Sequence, residues 1–183
     1  MPAPRMTTDE YLKLPETLVP EELVWGLVRS AASPSPGHQW FLGRLFLALT
    51  RHVDEHRLGR VWAAPLDVVL DRERHLIVQP DLLFVGLERM RLVTDRVWGA
   101  PDLVAEVLSP RPRIGTLDER LEWFAKYGVR ECWLVHQDVR EVEVLQFDAG
   151  ALANRDRFET DAPIRSRVLP GFNPSAAEIF APF

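Results

Sequence analysis

Two short apolar runs, residues 77–85 and 101–108, constrain this chain more than any other feature. Neither alternates polar with apolar positions, and each lies between turn signals. Such runs read as strands of a sheet covered on both faces. Each nevertheless carries a carboxylate in its interior, Asp81 in the first and Glu106 in the second. An ionised carboxylate removed from water without a partner is costly even after the surroundings relax. A chain that keeps both acids must pair them with cations or seat a metal ion between them.

The rest of the chain supplies a frame for those strands. Thr7 with Glu10 spells a capping box for a short helix that Pro15 should stop. Residues 22–24 and 27–29 flank Trp25-Gly26, the pattern of a tight hairpin. A loop punctuated by Pro and Gly follows at 33–37, and His38 opens the next helix. From 39 to about 55 the apolar positions Phe41, Leu42, Leu45, Phe46, Leu49 and Val53 recur at helical spacing, with Gly59 as the expected stop. Residues 61–70 read as one strand, which the charged tract 71–75 turns back into the strand bearing Asp81. A polar excursion at 87–95 leads to the strand bearing Glu106, and residues 109–115 form a stiff basic loop.

Thr116 with Glu119 makes a second capping box. It starts a helix whose stripe of Leu117, Leu121, Phe124 and Ala125 should be buried and should end at Gly128. Residues 131–136 and 141–147 read as strands around a turn. Beyond Asp148 the chain looks irregular, with short extended pieces at 157–160 and 164–169. A last helix follows, with Asn173 as its cap and Pro174 at its first position. The central order of helix, three strands, helix and strand defines an α/β domain with a mixed sheet flanked by helices.

At 183 residues the chain fits a single domain. It divides into an N-terminal helix and hairpin (1–36), a core (37–147) and a C-terminal extension (148–183). The net charge of −5 gives no global basic field, so contact with a polyanion must be local or use a metal. Cys132 is alone in an apolar run, which excludes an intrachain disulfide and suits a buried thiol in the reducing cytoplasm. The first residues carry no apolar signal core. The most apolar helical stretch, 40–50, is too short to span a bilayer and is interrupted by Arg44. A cytoplasmic chain without a membrane segment is expected.

Pro80-Asp81 in one strand and Glu106 in a later one resemble the PD-(D/E)XK restriction-endonuclease-like superfamily, whose αβββαβ core has the element order read above. The wording is similar to the Uma-type endonuclease family in stretches that cover nearly the whole chain: residues 6–11, 22–24, 34–39, 79–81, 106–110, 127–131 and 169–172. The resemblance implies a Mg²⁺- or Mn²⁺-dependent endonuclease acting on DNA. It makes Asp81 and Glu106 the metal-holding carboxylates and Glu22 the acid that the family places near the N-terminus. Leu108 stands where the superfamily has its lysine, and Arg120 where the Uma-type family supplies one from the next helix. Trp25 and Leu27 occupy positions where the family usually has acids.

Each of these residues also has a plainer structural role open to it. Asp81 and Glu106 can be bonded to backbone amides or arginines instead of a metal, and Arg120 can be an ion-pair partner. A guanidinium stays protonated, so Arg120 can neutralise charge or hold a water but cannot be a general base. Glu22 is expected to be exposed, as hairpin acids are by default, and His38 to cap or orient. Gln79 and Asp67 are auxiliary candidates. Arg111 and Arg113 can contact phosphates from the basic loop. Trp98 and Trp123 read as core or interface. A homodimer is expected because two-fold pairing is the commonest oligomeric state. The rival reading is an inactive nuclease fold that binds nucleic acid or a protein partner. A metal-free two-carboxylate hydrolase of the glycosidase kind lacks the sugar-binding aromatics beside its acids.

Overall fold

Capping, turn and proline chemistry divide the chain into its elements. The structure is a computed structural model that describes residues 5–15, 17, 19–108 and 116–181. In chain order, α1 (Thr8–Tyr11) is held by the expected Thr7–Glu10 capping box. β1 (Glu21–Val24) and β2 (Leu27–Ser30) form an antiparallel hairpin. Its two turn residues have positive φ, Trp25 at 53° and Gly26 at 82°, which matches the right-handed twist of the paired strands. α2 (Pro36–His56) starts at Ser35, whose side chain accepts from the His38 amide, and ends at Arg57 in the left-handed region. Arg57 therefore takes the stop role expected of Gly59. That glycine opens β3 (Gly59–Ala63) instead. There a Cβ would lie 2.1 Å from the Val85 carbonyl oxygen. Because backbone cannot move aside, Gly59→Ala is expected to destabilise by about 3 kcal/mol, measurable by chemical denaturation.

The chain continues with β4 (Val68–Asp71), β5 (Leu76–Val78), β6 (Leu82–Gly86), a 3-10 helix (Leu87–Leu92), β7 (Val97–Trp98) and β8 (Leu103–Leu108). The runs 61–70 and 77–85, expected as single strands, are each cut in two, at Pro65 and Pro80. Proline donates no ladder hydrogen bond, and at each cut the chain passes from one sheet to another. α3 (Leu117–Tyr127) has the expected Thr116–Glu119 capping box and stops at Gly128, φ 95°. Of its predicted stripe, Phe124 and Ala125 are buried together with Trp123 and Arg120, while Leu117 and Leu121 are half-buried.

β9 (Glu131–His136) and β10 (Glu141–Asp148) follow, then β11 (Ala151–Phe158). β11 replaces the irregular tail expected after Asp148. It pairs with β10 along its whole length, and its exposed edge carries Arg155, Asp156 and Arg157. Residues 164–169 form no strand. The amides of Arg167 and Val168 donate to the Glu131 carboxylate rather than to a ladder. The last helix, α4 (Ala176–Ile179), is capped by Ser175, whose hydroxyl accepts from the Glu178 amide, and not by Asn173. The basic loop expected at 109–115, with Arg111 and Arg113, lies outside the described residues.

The larger sheet has six strands in the order β11-β10-β9-β8-β6-β3, with β8 and β9 parallel and the other neighbours antiparallel. Within it α2, β3, β6, β8, α3 and β9 make up the αβββαβ core. The second sheet, β2-β1-β5-β4-β7, joins the hairpin to the paired β4 and β5. One face of the large sheet packs Leu82, Phe84, Leu103 and Ala105 on Leu42, Leu45, Leu49 and Val53 of α2. Its other face packs Leu83, Val104, Cys132 and Leu134 on Trp123 and Phe124 of α3 and on Val24, Leu76 and Val78 of the small sheet. No helix among the described residues is long and apolar enough to cross a membrane.

Candidate functional site

The register places the two acids of the apolar runs side by side. Leu82 of β6 pairs with Ala105 of β8 in an antiparallel ladder, so Asp81 stands across from Glu106 one step further along. Both are buried, Asp81 1% and Glu106 8% exposed. Asp81 closes the ladder with its side chain, its Oδ2 accepting from the Val107 amide at 2.8 Å. His38, at the start of α2, brings Nε2 within 3.0 Å of the same oxygen. An ionised carboxylate only accepts, so the ring hydrogen of this contact sits on Nε2.

Arg120 enters from the first turns of α3 and bridges two acids. Its Nε and Nη2 donate to Glu106 Oε1 at 3.2 and 2.6 Å, and its Nη1 to both oxygens of Glu22 at 2.8 and 2.7 Å. Glu22, expected to be exposed on the hairpin, is 1% exposed. β1 is an inner strand of the small sheet, so one side of it must face the core. Glu22 Oε1 also accepts from the Gln79 amide at 2.7 Å. The Gln79 side chain in turn donates to Asp67, and Arg96 holds the other Asp67 oxygen. Asp81, Glu106, Glu22, Arg120 and His38 thus meet at one end of the β6–β8 pair, with Gln79 and Asp67 behind Glu22. Arg96 carries no local sequence signal; only the fold brings it to Asp67.

Glu106 is the perturbed acid of the cluster. Burial raises its pKa from the ordinary 4.5; Arg120 opposes this and the neighbouring Asp81 charge adds to it, leaving it pushed up to about 7. For Arg120 burial works against the charged form, but Glu106 and then Glu22 outweigh it, and the guanidinium is held more firmly protonated than usual. Two other buried acids are saturated by contrast. Asp102 meets the Gly86 amide, Arg89 and Arg130. Glu131 accepts from the Trp133 indole on one oxygen and from Ser166, Arg167 and Val168 on the other. Glu106 Oε2 takes no hydrogen bond among the described residues.

Those observations fit a hard divalent cation. Mg²⁺ needs one or two protein carboxylates, with waters or phosphate oxygens completing its shell, and Asp81 with Glu106 provides that set. Among the described residues no group of three or more His, Cys, Asp or Glu side chains is arranged to hold a metal.

The αβββαβ sheet, with its acids facing each other across two strands, defines a protein of the restriction-endonuclease-like class. The chain belongs to the Uma2 family, described as "Putative restriction endonuclease", which matches it over residues 8–178. It is similar in fold to a protein from Anabaena variabilis whose crystal structure is titled "a putative nuclease belonging to DUF820". The TM-score is 0.82 at 21% identity, covering 96% of this chain and 98% of that one. No curated protein matches the sequence.

Proposed function

We propose that the chain is a Mg²⁺- or Mn²⁺-dependent endonuclease that hydrolyses phosphodiester bonds in DNA. The observation that carries this reading is the pairing of Asp81 with Glu106, one of them held at a raised pKa by burial and by the other's charge. Asp81 and Glu106 would hold the cation, whose bound state lowers the pKa of a water and polarises a phosphate. His38 and the Val107 amide fix the Asp81 carboxylate. Glu22 and Glu106 anchor Arg120, whose guanidinium is a fixed positive charge near the phosphate rather than a base. The reading includes a homodimer in the cytoplasm, which sedimentation and cell fractionation test.

Saturating Mg²⁺ or Mn²⁺ is expected to raise the melting temperature of the wild type by about 5–10 °C. This is what binding at a hundred times Kd gives a domain of this size. Asp81→Asn should lose that response together with metal-dependent cleavage of a DNA oligonucleotide. A melt indifferent to both ions, with no cleavage, ends the nuclease reading. Arg120→Lys keeps the charge but restores a group that can shed a proton, so its cleavage rate is expected to rise. The second reading, a binding protein on an inactive scaffold, is favoured by the engagement of Arg120 with both acids. It predicts an ion-dependent melt without cleavage in either protein.

A further inference from the structure

A hollow outside the cluster has a basic lining. A cavity of about 560 Å³ is lined by Arg5, Met6, Thr7, Trp25, Arg74, His75 and Lys126, with no acid among them. The chain is acidic overall, with a net charge of −5. Three permanent cations around one hollow therefore run against its average field. Of the acids around it, Asp9 is paired with Arg72, while the carboxylates of Glu10 and Asp71 turn to Thr7 and to the Arg74 amide and Tyr127 hydroxyl.

His75 is oriented as a donor. Its Nδ1 accepts from the Thr8 amide at 3.2 Å, so the proton of the neutral ring sits on Nε2. Trp25 stands edge-on against Trp123, ring centroids 5.8 Å apart, which fixes an aromatic wall. The hollow therefore offers cationic groups, one oriented N–H and one indole surface, the composition of a nucleotide-binding subsite.

Two of the elements that supply the acidic cluster also reach this hollow. β1 carries Glu22 into the cluster and ends next to Trp25. α3 carries Arg120 into the cluster and Lys126 to the hollow.

We infer that the Arg5–Arg74–His75–Lys126 hollow binds a phosphate of the DNA strand, with Trp25 against the adjoining sugar and base. The inference takes its ligand class from the nuclease reading. It is tested without cleavage, by binding of a labelled DNA oligonucleotide in EDTA over a range of salt. Arg74→Gln combined with Lys126→Gln, both exposed positions, should weaken binding about tenfold. It should also flatten the log–log salt dependence by about 1–2, the count of lost phosphate contacts. The melting temperature should be unchanged. Equal affinity and slope in wild type and double variant overturn the inference, as does binding of inorganic phosphate with no affinity for DNA. If the double variant binds normally while cleavage is metal-dependent, the hollow falls and the nuclease stands. If DNA binding depends on the hollow but no metal response exists, the nuclease falls and the hollow stands.

Discussion

Arg120→Met is expected to cost the fold about 3–5 kcal/mol, the usual penalty for removing one partner of a buried ion pair. At about 2–4 °C per kcal/mol for a domain of this size, the melting temperature should fall by about 10 °C. Methionine fills much of the same volume, so the loss reports the charge, including its cation–π contact with Phe124, rather than a cavity. Without the guanidinium, Glu22 keeps the Gln79 amide as a partner, but Glu106 loses both its hydrogen bonds. Three carboxylates then share one buried end of a sheet. The sign of the pH response follows. The Glu106 pKa should climb further above 7, the folded state should bind its proton more tightly than the unfolded chain, and acidification below pH 7 should recover part of the loss. A double-mutant cycle with Glu22→Gln checks the coupling. The two losses should add to less than their sum, because each removes a partner of the other. A loss under about 1 kcal/mol for Arg120→Met alone would mean that the bridge is solvated and the cluster open to water.

The local rules that the sequence obeys are the ones that could be read from it. Both capping boxes, Thr7 with Glu10 and Thr116 with Glu119, form as spelled, because capping involves residues three apart. The Trp25-Gly26 turn is legible for the same reason. So was the oddity of Asp81 and Glu106, since a charged residue in an apolar run stands out without any structure. What escaped was decided at long range. Pro65 and Pro80 mark breaks, but nothing local says that the halves belong to different sheets. β11 escaped because its residues, Ala151, Leu152, Ala153, Asn154 and onward to Phe158, include no β-branched side chain. An exposed edge strand imposes no alternation, and its order comes from pairing with β10. The α3 spacing places Arg120 beside Leu117 and Phe124, yet its hold on Glu22 joins residues 98 apart. The burial of Glu22 escaped with it, because hairpin sequence does not reveal that β1 is flanked by β5 as well as β2.

Divalent-ion affinity should fall by about tenfold for each pH unit below 7 and level off above it. A carboxylate must be deprotonated to ligate, so the ion competes with the proton on Glu106. That proton is held at about 7 rather than 4.5, chiefly by burial and despite Arg120, with the Asp81 charge adding to the effect. At pH 5 the apparent affinity for Mn²⁺ should therefore be about a hundredfold below its plateau, where an ordinary carboxylate would lose little. The metal-free protein should show the mirror image. Between pH 4.5 and 7 the folded state binds more protons than the unfolded one, so the Glu106 contribution to stability declines as pH rises through that window. Adding the ion at pH 8 should restore it, and stripping the ion with EDTA should lower the melting temperature at pH 8 much more than at pH 5. Calorimetric titration of Mn²⁺ at pH 5, 6 and 8 reads the effect directly. The heat should depend on the ionisation enthalpy of the buffer below pH 7, as proton release requires, and not above it. Glu106→Gln should abolish both the binding and its pH dependence while keeping the shape of the side chain. Equal affinity at pH 5 and pH 8 would mean that Glu106 is already ionised in the folded protein. Ion binding would then displace no proton from Glu106, and its burial-raised pKa would give no account of the affinity.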